Sequence, residues 1–141
     1  MRRTTSQVEQ LRSIPLFAGC STRELALVDS LAAESRAFPG EILVRQGSPG
    51  RETFVILEGE AIVSVGARIV ARLRSGDFFG EMALIGRRHL RTATVTALTP
   101  MRLMVIDPRQ LSTLLQIKGV ARQMLTEVVD RLTASQALRP A

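Results

Sequence analysis

Between Phe38 and Ile106 the chain is broken into short β-branched segments by glycine and proline at regular intervals. No other feature constrains the fold as much. The segments are Ile42 to Val44, Thr53 to Leu57, Ala61 to Val65, Arg68 to Leu73, Thr92 to Ala97 and Arg102 to Ile106. The breaks are Pro39-Gly40, Gly47-Ser48-Pro49-Gly50, Glu58-Gly59-Glu60, Gly66-Ala67, Gly76-Asp77 and Thr99-Pro100. Strands this short, interrupted this often, pair antiparallel in a sandwich or barrel. Pro49-Gly50 suits the centre of a type II turn, with proline presetting one φ and glycine accepting the positive φ after it. In Arg68 to Arg74 the arginines fall on one side and Ile69 and Leu73 on the other, the pattern of a half-buried strand with a basic outer face.

Helical signals flank this region. Ser21-Thr22-Arg23-Glu24 is a capping box, and Leu25, Val28 and Leu31 follow at helical spacing, which predicts a helix over about residues 22–33. Val8 and Leu11 suggest a shorter helix interrupted near Pro15. Asp107-Pro108 places a capping carboxylate before a proline at the first helical position. Leu111, Leu114 and Leu115 mark a short helix, Gly119 marks a break, and Ala121, Leu125, Val128 and Leu132 form the stripe expected to pack on the barrel.

Composition narrows the function. With 141 residues the chain suits one domain. No apolar run reaches the length of about 18 residues that a membrane span needs, and the first thirty residues carry no secretion pattern. Cys20 and His89 are each the single residue of their type, which excludes disulfide frameworks, thiolate metal clusters and multi-histidine sites. No Ser or Cys has the strand–turn–helix context of a hydrolase nucleophile, so no catalytic residue is expected. Cys20 stands beside a helix cap and reads as a small semi-buried side chain. The net charge of +6 comes almost entirely from scattered arginines, and Trp and Tyr are absent. That balance fits a small phosphate ligand at least as well as direct contact with nucleic acid.

The stretch from Gly76 to Val95 carries the chemistry and shows no strand pattern of its own before Thr92. Glu81-Met82-Ala83-Leu84 suits a short helical turn whose free amides point back toward Gly80, an anion site. Arg91 suits a bidentate grip on the same anion. Glu81 would repel a bare phosphate, but it suits a sugar hydroxyl, so the residues together point to a nucleotide or sugar phosphate. The competing reading is a surface Arg91–Glu81 pair that merely joins the loop ends.

Phe79-Gly80-Glu81-Met82-Ala83-Leu84 followed by Arg91-Thr92-Ala93-Thr94-Val95 resembles the phosphate-binding cassette of the cyclic nucleotide-binding domain family. Phe38-Pro39-Gly40-Glu41 with Arg45-Gln46-Gly47, and Phe54 to Val63, resemble that family's first barrel turn and its next strand, turn and strand. The resemblance runs from about Leu16 to Leu132. It implies a mainly β fold with flanking helices: an antiparallel β-roll (double-stranded β-helix, jelly-roll-like) over about 36–106 and two C-terminal helices over about 108–134. Residues 1–15 form an N-terminal helical segment, 16–134 the domain and 135–141 a tail.

The resemblance also implies roles. Arg91 pairs with a cyclic phosphate and Glu81 accepts from the ribose. Gly80, Met82 and Ala83 complete the cassette, with Gly80 and Ala83 giving amides, and Thr92 and Ala93 lie by the phosphate. Ile62 and Val63 are the candidate wall for the base, and Leu132 or Leu138 the candidate cap. The implied ligand is cyclic AMP ahead of cyclic GMP, since Thr92 also suits a syn guanine; no further cofactor or metal is implied. Two departures stand out: a loop from Glu81 to Arg91 about a residue longer than usual, and Arg51 where the family often has an acid, with Glu52 adjacent. The chain ends at Ala141 without room for a helix-turn-helix unit. The expected protein is therefore a non-catalytic cytoplasmic sensor whose effector domain or partner lies elsewhere. A piece or partner of a cyclic-AMP-responsive transcription regulator, or a ligand-free scaffold of the same fold, are the alternatives.

Overall fold

The computed structural model describes residues 5–80 and 90–137. Helix α1 (Thr5–Arg12), a 3-10 turn (Pro15–Phe17) and α2 (Thr22–Leu31) precede eight strands: β1 (Ala33–Ala37), β2 (Ile42–Val44), β3 (Thr53–Glu58), β4 (Ala61–Val65), β5 (Arg68–Leu73), β6 (Phe78–Phe79), β7 (Thr94–Ala97) and β8 (Met101–Ile106). Helices α3 (Pro108–Leu114) and α4 (Lys118–Ala137) follow. The strands pair antiparallel in two four-stranded sheets, ordered β1-β8-β3-β6 and β2-β7-β4-β5. This is the mainly β roll with flanking helices that the turn spacing and the resemblance imply. Among the described residues no helix is long and apolar enough to cross a membrane.

Strand alternation divides the interior into two cores. Val55 and Leu57 of β3, Met104 and Ile106 of β8, and Phe78 of β6 pack with Leu11, Phe17, Leu25, Leu111, Val120 and Met124 of the helical side. Ile56, Leu103 and Phe79, their immediate neighbours in sequence, point the other way and pack with Ala61, Val95 and Ala97 between the sheets. The first sheet is therefore covered on both faces at β3, β6 and β8, while its edge strand β1 stays exposed. That explains why β3 is almost continuously apolar where a half-solvated strand would alternate.

Both helix caps form as the residues dictate. The Ser21 hydroxyl accepts from the Glu24 amide at 3.1 Å while Glu24 accepts from the Ser21 amide at 2.8 Å. Asp107 accepts from the Gln110 amide at 2.8 Å, with Pro108 beginning the helix. Arg102 of β8 reaches Glu34 at 2.6 Å, Gln10 at 2.6 Å and Glu58 at 3.1 Å, which ties β1, α1 and β3 to one guanidinium.

Several expectations are corrected. Strand β1 has no sequence signature: Ala-Glu-Ser-Arg-Ala is exposed except at Ala37 and is held at a sheet edge by β8 and by the Glu34–Arg102 pair. The stretch after Gly76 does contain a strand, β6, whose two residues are too few to show a period. The break before α4 falls at Gln116-Ile117, and Gly119 lies in its first turn, facing the Gly19 backbone. The packed stripe of α4 is Val120 and Met124, preceded by Ile117 in the break and joined by partly buried Val128. Leu125 is 65% exposed and Leu132 45% exposed. Two apolar stripes lie side by side on this helix, and periodicity alone cannot choose which one the sheet covers. Cys20 is buried; burial, then the nearby Glu24 charge, push its thiol pKa up rather than down.

Candidate functional site

The site begins with a clamp on the two ends of a loop. The turn Arg45 to Ser48 closes with the Ser48 amide donating to the Arg45 carbonyl at 3.1 Å, and Gly47 carries its positive φ of 82°. The positive φ thus falls at Gly47 and not at Gly50, which corrects the Pro49-Gly50 assignment. The Gly47 amide donates to the Arg91 carbonyl at 2.8 Å, and the Arg91 amide donates to the Ser48 carbonyl at 2.9 Å. Pro49 bridges Leu90 alongside. Arg91 is therefore fixed through its backbone before its side chain makes any contact.

The side chain runs inward. Arg91 is 6% exposed. Its Nη1 donates to the Glu52 carbonyl and to the Gly80 carbonyl, each at 3.0 Å. Its Nη2 faces the Glu52 carboxylate at 3.6 Å. The guanidinium carbon stands 5.8 Å from the centroid of Phe54, whose ring stacks on Phe79 at 4.8 Å and 13°.

Two glycines make the room. A Cβ on Gly50 would sit 2.5 Å from Arg91 Nε and 2.7 Å from Nη2. A Cβ on Gly80, where φ is 95°, would sit 2.6 Å from the Glu52 carbonyl and 2.9 Å from Arg91 Nη1. Glu52 supplies the acid expected one position earlier at Arg51. It is 48% exposed at its side chain, so the pair it makes with Arg91 reaches toward solvent.

This guanidinium forms one end of a cavity of about 210 Å³. Gly80, Arg91, Thr92 and Ala93 line the polar end. Val63 of β4, Ala71 and Leu73 of β5 and Phe79 of β6 give the apolar wall, with Val44 and Val95 beside them. Arg131 of α4 closes onto the same space. A charge-bearing donor fork at one end and aliphatic wall at the other suit an anionic ligand with a flat apolar part.

The structure thus brings together Gly80, Arg91, Thr92, Ala93 and Val63. It does not bring Ile62, which strand alternation turns away from the cavity, or Leu132, which is half-exposed and off the lining. Glu81, Met82 and Ala83 lie outside the described residues, as do the helical turn expected there, His89 and Leu138. Arg91 is buried, so it does not stand on the surface as the competing reading requires; the Glu81 side of that pair lies outside the described residues. Glu52, Phe54, Phe79, Gly50 and Arg131 were not assigned from sequence. Arg131 had a signal, since it follows Met124 by seven residues and Val128 by three, in line with the stripe that is packed.

A two-sheet roll with an arginine-ended cavity between sheet and C-terminal helix defines a class of small-ligand-binding domain. Residues 36–118 match the cyclic nucleotide-binding domain, and the chain belongs to that family. It is similar to a cAMP-dependent protein kinase regulatory subunit of Mycosarcoma maydis, 40% identical over 68% of this chain and 19% of that protein. It is also similar to the acetyltransferase Pat of Mycolicibacterium smegmatis, 31% identical over 93% of this chain and 40% of that protein. A putative potassium channel protein of Rhodopseudomonas palustris is 29% identical over 85% of this chain and 30% of its own length. The chain therefore spans less than half of each of these relatives. Among solved structures, cAMP-bound PfPKA-R superposes with a TM-score of 0.84 at 21% identity, covering 94% of this chain and 46% of that one. The catabolite activator protein of Thermus thermophilus gives 0.77 at 23% identity, covering 87% and 60%. At those identities the likeness establishes the fold.

Proposed function

We propose that the cavity binds a 3′,5′-cyclic purine nucleotide, cyclic AMP in preference to cyclic GMP, and that the domain is a non-catalytic sensor relaying occupancy through α3 and α4. The observation that carries this reading is the buried Arg91 guanidinium, fixed by the Glu52 and Gly80 carbonyls at the end of an apolar cavity. Arg91 meets the cyclic phosphate. Thr92 and Ala93 lie beside it, and Gly80, Glu81, Met82 and Ala83 supply the remaining phosphate and ribose contacts. Glu52 orients the guanidinium and restrains its charge. Val63, Ala71 and Leu73 form the surface against which a purine rests. The relatives include both a cAMP-dependent regulatory subunit at 40% identity and a cGMP-dependent protein kinase at 36%, so the preference for cyclic AMP is the part of the proposal that the binding experiment must decide. Occupancy becomes a signal only if the ligand binds one arrangement of the helices better than another.

Titration calorimetry of the purified chain tests the reading. Saturable heat is expected with cyclic AMP, with weaker binding of cyclic GMP and none of 5′-AMP at equal concentration. No saturable heat with either cyclic nucleotide at millimolar ligand refutes it.

Gly50→Ala gives a second check. Its Cβ enters the space that Arg91 Nε and Nη2 occupy, so the fork must shift and its charge-assisted hydrogen bonds weaken. Nucleotide binding is expected to fall about tenfold, with a stability loss of about 1–2 kcal/mol. Gly19→Ala, where a Cβ meets nothing within 4 Å and φ is not positive, is the matched control and is expected to leave affinity unchanged.

A further inference from the structure

Arg131 touches both the cavity and the strand that leads to its polar end. Among the described residues it is the one α4 side chain on the cavity lining. Its Nη2 donates to the Phe78 carbonyl, and its guanidinium carbon stands 4.3 Å from the Phe78 ring centroid. Phe78 is fully buried against the helical side, in the core that holds Val120 and Met124 of α4. The next residue, Phe79, points into the core between the sheets and lines the cavity. The residue after that, Gly80, gives its carbonyl to Arg91 at 3.0 Å. Three consecutive residues thus carry an α4 arginine at one end and the Arg91 fork at the other.

Strand β6 is short. It pairs with β3 through Phe54–Phe79 and Val55–Phe78, and just before it the Ile56 amide donates to the Asp77 carbonyl and the Gly76 amide to the Ile56 carbonyl, each at 2.8 Å. Its position is shared between these backbone bonds, the two phenylalanine rings, the Arg91–Gly80 bond and the Arg131 contact. Only φ and ψ of Phe79 lie between Gly80 and the Phe78 carbonyl, and the Phe79 ring is buried between the sheets, which leaves those two rotations little room to absorb a shift of Gly80. A ligand that moves Gly80 therefore strains the Arg131 hydrogen bond and ring contact at Phe78.

We infer that Arg131 is a positioning residue: it fixes Phe78–Gly80 for the Arg91 end of the cavity and ties that segment to α4. This rests on the proposed nucleotide reading for its ligand-dependent part and not for the tie itself. Linkage requires the effect to run both ways: whatever the tie contributes to α4, a ligand that alters it must feel in its affinity.

Hydrogen exchange on the whole chain separates the two parts. The variants are Arg131→Met, which keeps the aliphatic stem and removes the donor, and Arg131→Lys, which keeps one donor and the charge. Without ligand, Arg131→Met is expected to speed exchange of the 125–137 amides about tenfold, with β3 and β8 amides unchanged and Arg131→Lys returning most of the protection. With cyclic AMP, the parent is expected to change protection in both 94–97 and 125–137. Arg131→Met is expected to keep the first change, lose the second, and bind about 3- to 30-fold more weakly. Parent-like α4 exchange in ligand-free Arg131→Met overturns the tie. A full ligand response in α4 of that variant overturns the coupling. A parent chain that binds no cyclic nucleotide retires the functional reading instead, and the ligand-free comparison still decides the tie.

Discussion

Replacing Arg91 by alanine is expected to weaken cyclic AMP binding by about 30- to 1000-fold, roughly 2–4 kcal/mol. The side chain is 6% exposed and stands at the polar end of an otherwise aliphatic cavity. Without it the end of the cavity formed by Gly80, Thr92 and Ala93 offers a cyclic phosphate no cation, and among the described lining residues only Arg131 of α4 still carries positive charge. The substitution also strands the Glu52 and Gly80 carbonyls that Arg91 satisfies, so some stability is lost as well. Arg91→Lys separates the effects, because lysine keeps the charge but cannot serve two carbonyls and a phosphate with one planar fork. It is expected to recover stability more fully than affinity. Calorimetry and denaturant unfolding on all three proteins measure both. Equal affinity in parent and Arg91→Ala would show that the phosphate is held elsewhere.

The largest stability effect is expected at Phe78. Its ring is fully buried among the helical-side residues and lies beneath Arg131. Phe78→Ala removes a large apolar volume from a site bounded by β3, β8 and α4, with little freedom to collapse. A loss of about 3–5 kcal/mol is expected, a large fraction of the 5–15 kcal/mol typical of a domain. Ile69→Ala on the exposed face of β5 is the control, with an expected change of about 0.5 kcal/mol or less. Urea unfolding midpoints compare the two directly. A Phe78→Ala cost below about 1 kcal/mol would mean that the ring is not part of a tightly packed core.

What could be read in advance followed from local chemistry. The turns of the roll were visible because glycine and proline fix backbone geometry within a few residues. The caps at Ser21 and Asp107 were visible because hydroxyl and carboxylate partners lie three residues apart. Arg91 and Gly80 were visible through a motif whose residues are close in sequence, and Val63 through the separate strand–turn–strand pattern of Phe54 to Val63. What was missed depends on distant packing. Strand β1 exists because β8 and Arg102 hold it, not because Ala-Glu-Ser-Arg-Ala favours extension. The rotation of α4 is decided by which side chains fit the sheet. Glu52 and Gly50 acquire their importance only when Arg91, some forty residues on, folds over them. The cap assigned to Leu132 fell one position from Arg131, the residue that the cavity presents.

The double burial of β3 has a mechanical consequence. Because Val55 and Leu57 serve one interior while Ile56 serves the other, this strand is a common wall, and neither compartment can be dismantled while its neighbour stays sealed. Loosening of the helical bundle therefore strips one face of a strand that the other interior also needs, so the two interiors draw on a single reserve of stability.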